Sequence, residues 1–482
     1  MTVSHFFVSL QKPHYMKRRA FIRNTSIGVG TALIAGTVGG AVLTSKIAED
    51  HDSSKLIGGT KKWQNWSGNQ VCEPAELFLP ESEKALVQKL KNTTDKIRVV
   101  GGGHSFSPVV PSNEILASFK KLNAITSYND ITHTATIGAG AHLYDLTPKL
   151  HEIGMAFANQ GDIDRQTLGG SVSTSTHGTG SNLQSFAGMV KGFRLVTADG
   201  QVIECSPESN AELFYGGTVA LGALGLVTQY DMQLMPSYKL KEKVYPANLD
   251  DMLHSFFEKS AENRNFELFP FFYSDTVLVK ELNITEEAIT PIKDPILNDD
   301  ILLSIGLTLA GKSAKRVEQI QNMVATLLSE ETRVGYSHEI YPSVRNVPFN
   351  EMEYELPKES AMECLKEIID TGRKKEFPIF FPMEVRTVKA DDFWMSPFYQ
   401  RETVSISIHR FHKYDYDKYF PTFDKIFKKY GGRPHWGKLS YYQKEDLRAV
   451  YPKYDDFIAL RKRLDPTGRF SNDYLNKLFG PV

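Results

Sequence analysis

"VVGGGHSFSP", residues 99–108, is the stretch on which the fold turns. Val99 and Val100 read as the end of a strand, and Gly101, Gly102 and Gly103 form a turn without side chains. His104 and Ser105 are the first functional groups after it. A turn lacking Cβ atoms can aim successive backbone N–H groups into one concavity, which suits a phosphate. The match to G-x-G-x-x-G is partial, and the residues after His104 lack the periodicity of a helix, so the stretch does not predict a Rossmann unit. A second glycine-rich turn, "GDIDRQTLGGSVSTSTHGTG" (161–180), holds Gly161, Asp162, Gly169 and Gly170. It continues with the hydroxyl residues Ser171, Ser173, Thr174 and Thr176, then His177 and Gly178. A third, "GGTVALGALGLVT" (216–228), is small and apolar and includes Val227. Three such turns predict a large phosphorylated ligand lying along them.

Around these turns the pattern alternates. "PESEKALVQKLKNTTD" has helical spacing with an acidic first turn, and "ITHTATIGAGAHLYDLTPKLHEIG" reads as strand, turn, helix. Asp199-Gly200 marks a hairpin. From about residue 238 the texture changes. "KLKEKVYP", "FELFPFFYSDTVLVKELNI", "ETRVGYSHEIYP", "FPIFFPMEVRTV" and "ETVSISIHRF" read as strands. Amphipathic helices such as "NLDDMLHSFFEKSAENR" and "PKESAMECLKEIIDTGRKK" lie between them. The class is therefore α+β, with a second domain built as a mixed or antiparallel sheet backed by helices. The expected divisions are an N-terminal signal or anchor (1–45), a linker (46–65), a ligand-binding domain (66–237), a second domain (238–430) and a C-terminal segment (431–482).

Composition narrows the function. The chain has 482 residues and a formal net charge of -1, so nothing favours nucleic acid or an anionic surface as partner. Cys72, Cys205 and Cys364 are too far apart for a metal-ligand pattern and read as buried hydrophobes, so no metal is expected. At the N-terminus "MKRRAFIRN" (16–24) precedes an uncharged stretch to residue 45. Adjacent Arg18 and Arg19 resemble a twin-arginine signal, which exports proteins folded around a cofactor. A membrane anchor is the other reading. Either places the body outside the cytoplasm, periplasmic or membrane-associated.

The segments at 99–105 and 161–180 resemble the FAD-binding (PCMH-type) domain of the vanillyl-alcohol oxidase family. The resemblance implies that the first turn embraces the pyrophosphate and the second lines the flavin. It also implies that His104 carries a covalent bond to the flavin, as the matching histidine does in many members. In "PMEVRTV", Glu384 and Arg386 lie two apart on a strand and so share a face. With "ETVSISIHRF", "HWGK" (435–438) and "DPTGRFSNDYLNKLFG", this region resembles the alditol and sugar-lactone oxidase branch over the body of the chain.

That branch implies an aldonolactone oxidase of the D-arabinono-1,4-lactone type, with an alditol oxidase or a dehydrogenase reducing a quinone or cytochrome as alternatives. A non-enzymatic sugar or flavin binder is the remaining one. Glu384 and Arg386 would bind the substrate hydroxyls, and Lys438 would sit beside the flavin. His409 would be the base, although the branch carries its histidine two places earlier, where Ser407 stands here. Gly161 at the position beside the flavin leaves room for O2, which would return the flavin to its oxidised state as hydrogen peroxide forms.

Overall fold

The computed structural model describes residues 53, 55–57, 60–291, 306–307, 309–343, 345 and 347–482. The expected signal or anchor and half of the linker lie outside them. Trp63–Gln64 pairs antiparallel with Val71–Cys72, and Trp63 is buried. The folded body therefore begins inside the stretch whose polarity reads as a linker. Among the described residues no helix is long and apolar enough to cross a membrane.

The first half builds two small sheets. Glu76–Phe78, Ile115–Ser118 and Ile97–Val100 form a parallel three-stranded sheet in that order. The helix Glu83–Asn92 connects two of its strands, and the side chain of Ser82 caps it by accepting from the Ala85 N–H. An antiparallel five-stranded sheet comes next, in the order Val202–Cys205, Val190–Val196, Leu226–Gln233, Thr134–Gly138 and Ile125–Asn129. The predicted hairpin at Asp199-Gly200 joins two of these strands, with Gly200 at φ +80°.

From Lys239 onward every described strand enters one eight-stranded antiparallel sheet. Its order is Glu331–Tyr336, Lys239–Asn248, Thr276–Ile284, Asn265–Pro270, Glu384–Val388, Thr403–Phe411, Phe349–Pro357 and Arg433–Pro434. Two expectations are corrected here. "FPIFFPMEVRTV" is strand only from Glu384, because Pro378 and Pro382 supply no N–H to a ladder. The strand Phe349–Pro357, next to the last in the order, was not anticipated at all.

The helices Ala361–Lys374 and Phe420–Lys429 back this sheet. They bury Cys364, Leu365 and Ile368, and Phe420, Phe423 and Phe427, against Met352, Tyr354, Val404 and Ile406. All three cysteines are buried and unpaired.

The C-terminal segment returns to the first sheet. Ile97 N–H donates to the Arg469 carbonyl at 2.8 Å, and the buried Arg98 guanidinium donates to the carbonyls of Phe470, Val109 and Leu221. Asn472 donates to the carbonyls of Pro108 and Pro111. Strand Ile97–Val100, which leads into the glycine turn, is thus held by residues some 370 positions later.

Candidate active site

The glycine turns converge as expected. Gly103 adopts φ +67°, a backbone angle that glycine tolerates without strain. A Cβ on Gly102 would stand 2.3 Å from the Arg165 carbonyl oxygen, so the first turn can lie against the second only without side chains. Both turns and the third open onto one cleft with about 1890 Å³ of space free of protein atoms, its solvent mouth included. Val100, Gly101, Gly102, Gly103, His104 and Ser105 line it, as do Gly161, Asp162, Gly169, Gly170, Ser173, Thr174, Thr176, His177 and Val227.

Ser171 and Gly178 do not line the cleft. Ser171 is wholly buried on the inner side of the short helix Leu168–Ser173. Gly178 is demanded by packing, since a Cβ there would meet the Gln160 carbonyl oxygen at 2.2 Å. The His104 ring stacks on Trp66 with ring centres 5.2 Å apart.

The opposite wall is the eight-stranded sheet. Period-two alternation sends Met352, Tyr354 and Leu356 to the helices and Glu351, Glu353 and Glu355 to the cleft side. Register sets Glu351 opposite His409, Glu353 opposite Ser407 and Glu355 opposite Ser405. One strand further, Glu384 faces Ser407 and Arg386 faces Ser405. Arg386 in turn faces Glu267. Glu384, Arg386, His409 and Lys438 all line the same cleft as His104. Lys438 reaches it through the turn after Arg433–Pro434, where the Gly437 carbonyl accepts from the Phe106 N–H at 2.7 Å and the ammonium lies 5.4 Å from the Phe106 ring centre.

Charges this deeply buried require partners. Lys438 Nζ lies 2.5 Å from Glu351 and 3.4 Å from Glu353. Burial opposes its charge, but these carboxylates keep its pKa raised. Burial pushes Glu351 up to about 8 in spite of Lys438. Glu353 stays well below the usual carboxylate range despite burial, because Lys438 and His177 both face it. His177 Nε2 is 2.9 Å from Glu353 and 3.5 Å from Glu355. Burial alone would depress this imidazole, yet Glu355 and Glu353 raise it to about 10, so it is a cation at neutral pH.

Arg386 meets Glu267 at 2.5 Å, Glu384 at 2.8 Å and Asp162 at 3.1 Å. Asp162 also faces Lys280 at 3.4 Å and Arg345 at 3.6 Å, and these three cations overcome burial to hold it low. His409 differs from His177, since burial holds it down at about 4 and it is neutral. Its Nδ1–H donates to the Pro382 carbonyl at 3.1 Å, which leaves the lone pair on Nε2. His435 is likewise neutral through burial and accepts from the Gly437 N–H.

Sequence reading missed Glu351, Glu353, Glu355, Arg345 and His435. "NEMEYELP" (350–357) carried the signal, three carboxylates alternating with apolar residues.

The glycine turns and the large cleft they open onto fit FAD. The turns at 101–105 and 169–176 offer backbone and hydroxyl groups to a phosphorylated ligand, and the charged sheet closes the far side. Together they define a flavoprotein oxidoreductase with a cofactor domain and a substrate sheet. A profile described as an FAD binding domain matches residues 74–206, and the D-arabinono-1,4-lactone oxidase profile matches residues 230–478.

The chain belongs to the D-arabinono-1,4-lactone oxidase family. It is 32% identical to an L-gulono-1,4-lactone dehydrogenase of Mycobacterium tuberculosis, across 87% of this chain and 99% of that one. It is 30% identical to the L-gulonolactone oxidase of Bos taurus, across 88% and 100%. A solved cholesterol oxidase from Brevibacterium sterolicum superposes with TM-score 0.73 over 87% of this chain and 97% of that one, at 17% identity, which speaks for the fold alone.

Proposed function

We propose that this protein oxidises the alcohol of a sugar-derived aldonolactone, with O2 as electron acceptor and with FAD joined covalently to His104. The observation that carries the reading is the meeting of Glu384, Arg386, His409 and Lys438 with the glycine turn in one cleft. Glu384 and Arg386 present a carboxylate and a guanidinium on one strand face, to accept from and donate to the substrate hydroxyls. His409, neutral and with its Nε2 lone pair available, takes the hydroxyl proton as the carbinol C–H bond breaks. Bound FAD supplies the acceptor for the hydride. Lys438 holds a positive charge in the cleft where electron transfer adds negative charge. The attachment to His104 is supported by its place in a glycine turn on the cleft wall, and the access of O2 by Gly161, which presents no side chain there.

A second acceptor reading has its own support. Gly161 is also required by packing, since a Cβ would stand 2.9 Å from the His177 carbonyl oxygen, and the Mycobacterium relative is named a dehydrogenase. The experiment is to add gulono-1,4-lactone to the yellow protein under nitrogen and then admit air. Bleaching followed by stoichiometric peroxide supports the oxidase, and bleaching that air reverses only slowly supports a dehydrogenase. No bleaching by lactone or alditol removes the activity altogether. Acid precipitation tests the attachment, since colour should stay with the wild-type chain and leave with His104→Ala. The basic head and uncharged stretch at 16–45 support export, which a fusion of residues 1–60 to a reporter would test.

A further inference from the structure

The three glycines that let the first turn lie against the second also leave it poorly able to aim the side chain that follows. Glycine restricts the backbone least of all residues, and a histidine ring has several staggered positions to choose from. Residues Asn65–Gln70, the turn between the paired strands Trp63–Gln64 and Val71–Cys72, supply what the glycines cannot. On one side of His104, Trp66 N–H donates to the Gly103 carbonyl at 2.9 Å. On the other, Asn65 Nδ2 donates to the Ser105 carbonyl at 3.0 Å. Asn69 Nδ2 and Gln70 Nε2 donate to the Phe106 carbonyl at 3.0 and 2.9 Å.

The indole of Trp66 covers one face of the imidazole, with 5.2 Å between ring centres and 23° between planes. That indole is itself held, since Phe349 meets it edge-on at 5.3 Å and Phe106 at 6.4 Å. Phe349 opens the strand Phe349–Pro357, and its ring also meets His409 edge-on at 5.0 Å. The flat surface behind His104 is thus fixed from the cofactor side and from the substrate sheet.

We propose that the turn Asn65–Gln70, through the indole face of Trp66, orients His104 for its bond to the flavin. This role rests on the attachment proposed above and assigns it positioning residues. In that attachment an imidazole nitrogen bonds to the flavin's 8-methyl carbon. The ring and the methyl group each give up a proton, the flavin gains two electrons, and O2 takes electrons and protons as hydrogen peroxide. Reacting atoms must be held near contact, and a misplacement of about 1 Å can cost about a hundredfold in rate. The donors of the turn fix the backbone on both sides of His104, and the indole removes ring positions that point away from the cleft wall.

The test reads two quantities on the full-length holoprotein: total flavin per chain, and the share that stays with the chain after acid precipitation. In the wild type nearly all should stay. Trp66→Leu keeps an apolar side chain but no flat face, so the share should fall about tenfold while total flavin stays within about twofold. Trp66→Phe restores a flat ring and should recover most of the share. Gln70→Ala, which removes one hydrogen bond to the Phe106 carbonyl, should lower the share about threefold. A merely structural role would lower total and acid-stable flavin together, and that result overturns the proposal. An unchanged share in Trp66→Leu, or in Gln70→Ala where Trp66→Leu is insoluble, overturns it as well. Either result leaves the attachment standing as long as the wild type keeps its colour in acid and His104→Ala does not. A wild type that loses its colour to acid removes the attachment and the orienting role together.

Discussion

Replacing His177 by glutamine tests whether the buried imidazole is the cation that makes the Glu353–Glu355 pair tolerable. The wild-type ring titrates at about 10 in the folded protein, against about 6.5 when unfolded. Burial works against its charge and the two carboxylates more than reverse that effect. A raised folded pKa contributes stability that is fully present below about 6.5 and is lost as pH rises towards about 10. The interval of roughly 3.5 units corresponds to about 5 kcal/mol at most, and breaking a buried ion pair from one side costs about 3–5 kcal/mol. Glutamine keeps much of the shape but cannot carry the charge, so Glu355 loses the cation beside it and Glu353 retains Lys438. Urea midpoints read by intrinsic fluorescence should place the variant about 3–5 kcal/mol below wild type at pH 6.5. The gap should narrow steadily by pH 9.5. A deficit under about 1 kcal/mol, or one that does not change with pH, would refute the assignment of a buried imidazolium.

Three other expectations come from distances and charges in the cleft. Wild-type kcat/KM should keep its basic form down to an acid limb near pH 4, where His409 protonates; in His409→Gln the rate should fall about 10²–10⁴-fold and the limb should disappear from a stopped-flow pH profile. Lys438→Met leaves Glu351 and Glu353 facing the cleft without their ammonium, so the flavin midpoint potential should drop and kcat should fall by about a hundredfold, measured by dye-coupled reduction and steady-state assay. Gly102→Ala would force the first turn away from the Arg165 carbonyl, and the purified variant should carry little or no flavin by its visible absorbance relative to protein.

Much of the cofactor side was legible because glycine and hydroxyl residues are placed there for local reasons. Gly102 and Gly103 are needed for close approach and for a positive φ, and such needs are written residue by residue. Glu384 and Arg386 were legible through strand periodicity. The strand Phe349–Pro357 was not, because glutamate is a poor strand residue and three stand in this one short stretch. Those glutamates become buriable only when His177 and Lys438, 176 and 87 positions away, arrive on the other side. Residues 377–383 misled in the opposite sense. Their aromatic residues suggested a ladder that the two prolines deny, and the Pro382 carbonyl is instead spent on fixing the tautomer of His409. Ser171 and Gly178 belong to the right turn but face inward, a distinction that spacing alone does not draw.

The return of the C-terminal segment to Ile97–Val100 has a consequence for biosynthesis. Arg98 waits for the Phe470 carbonyl through 372 further residues, which at about 5–20 residues per second is roughly 20 to 75 s of translation. A nascent chain can make the glycine loop early, yet it lacks the buttress behind it until residues 469–472 have been made. Flavin loading therefore waits for these late residues, and a truncation that removes Arg469 and Phe470 would leave the nucleotide without a finished seat.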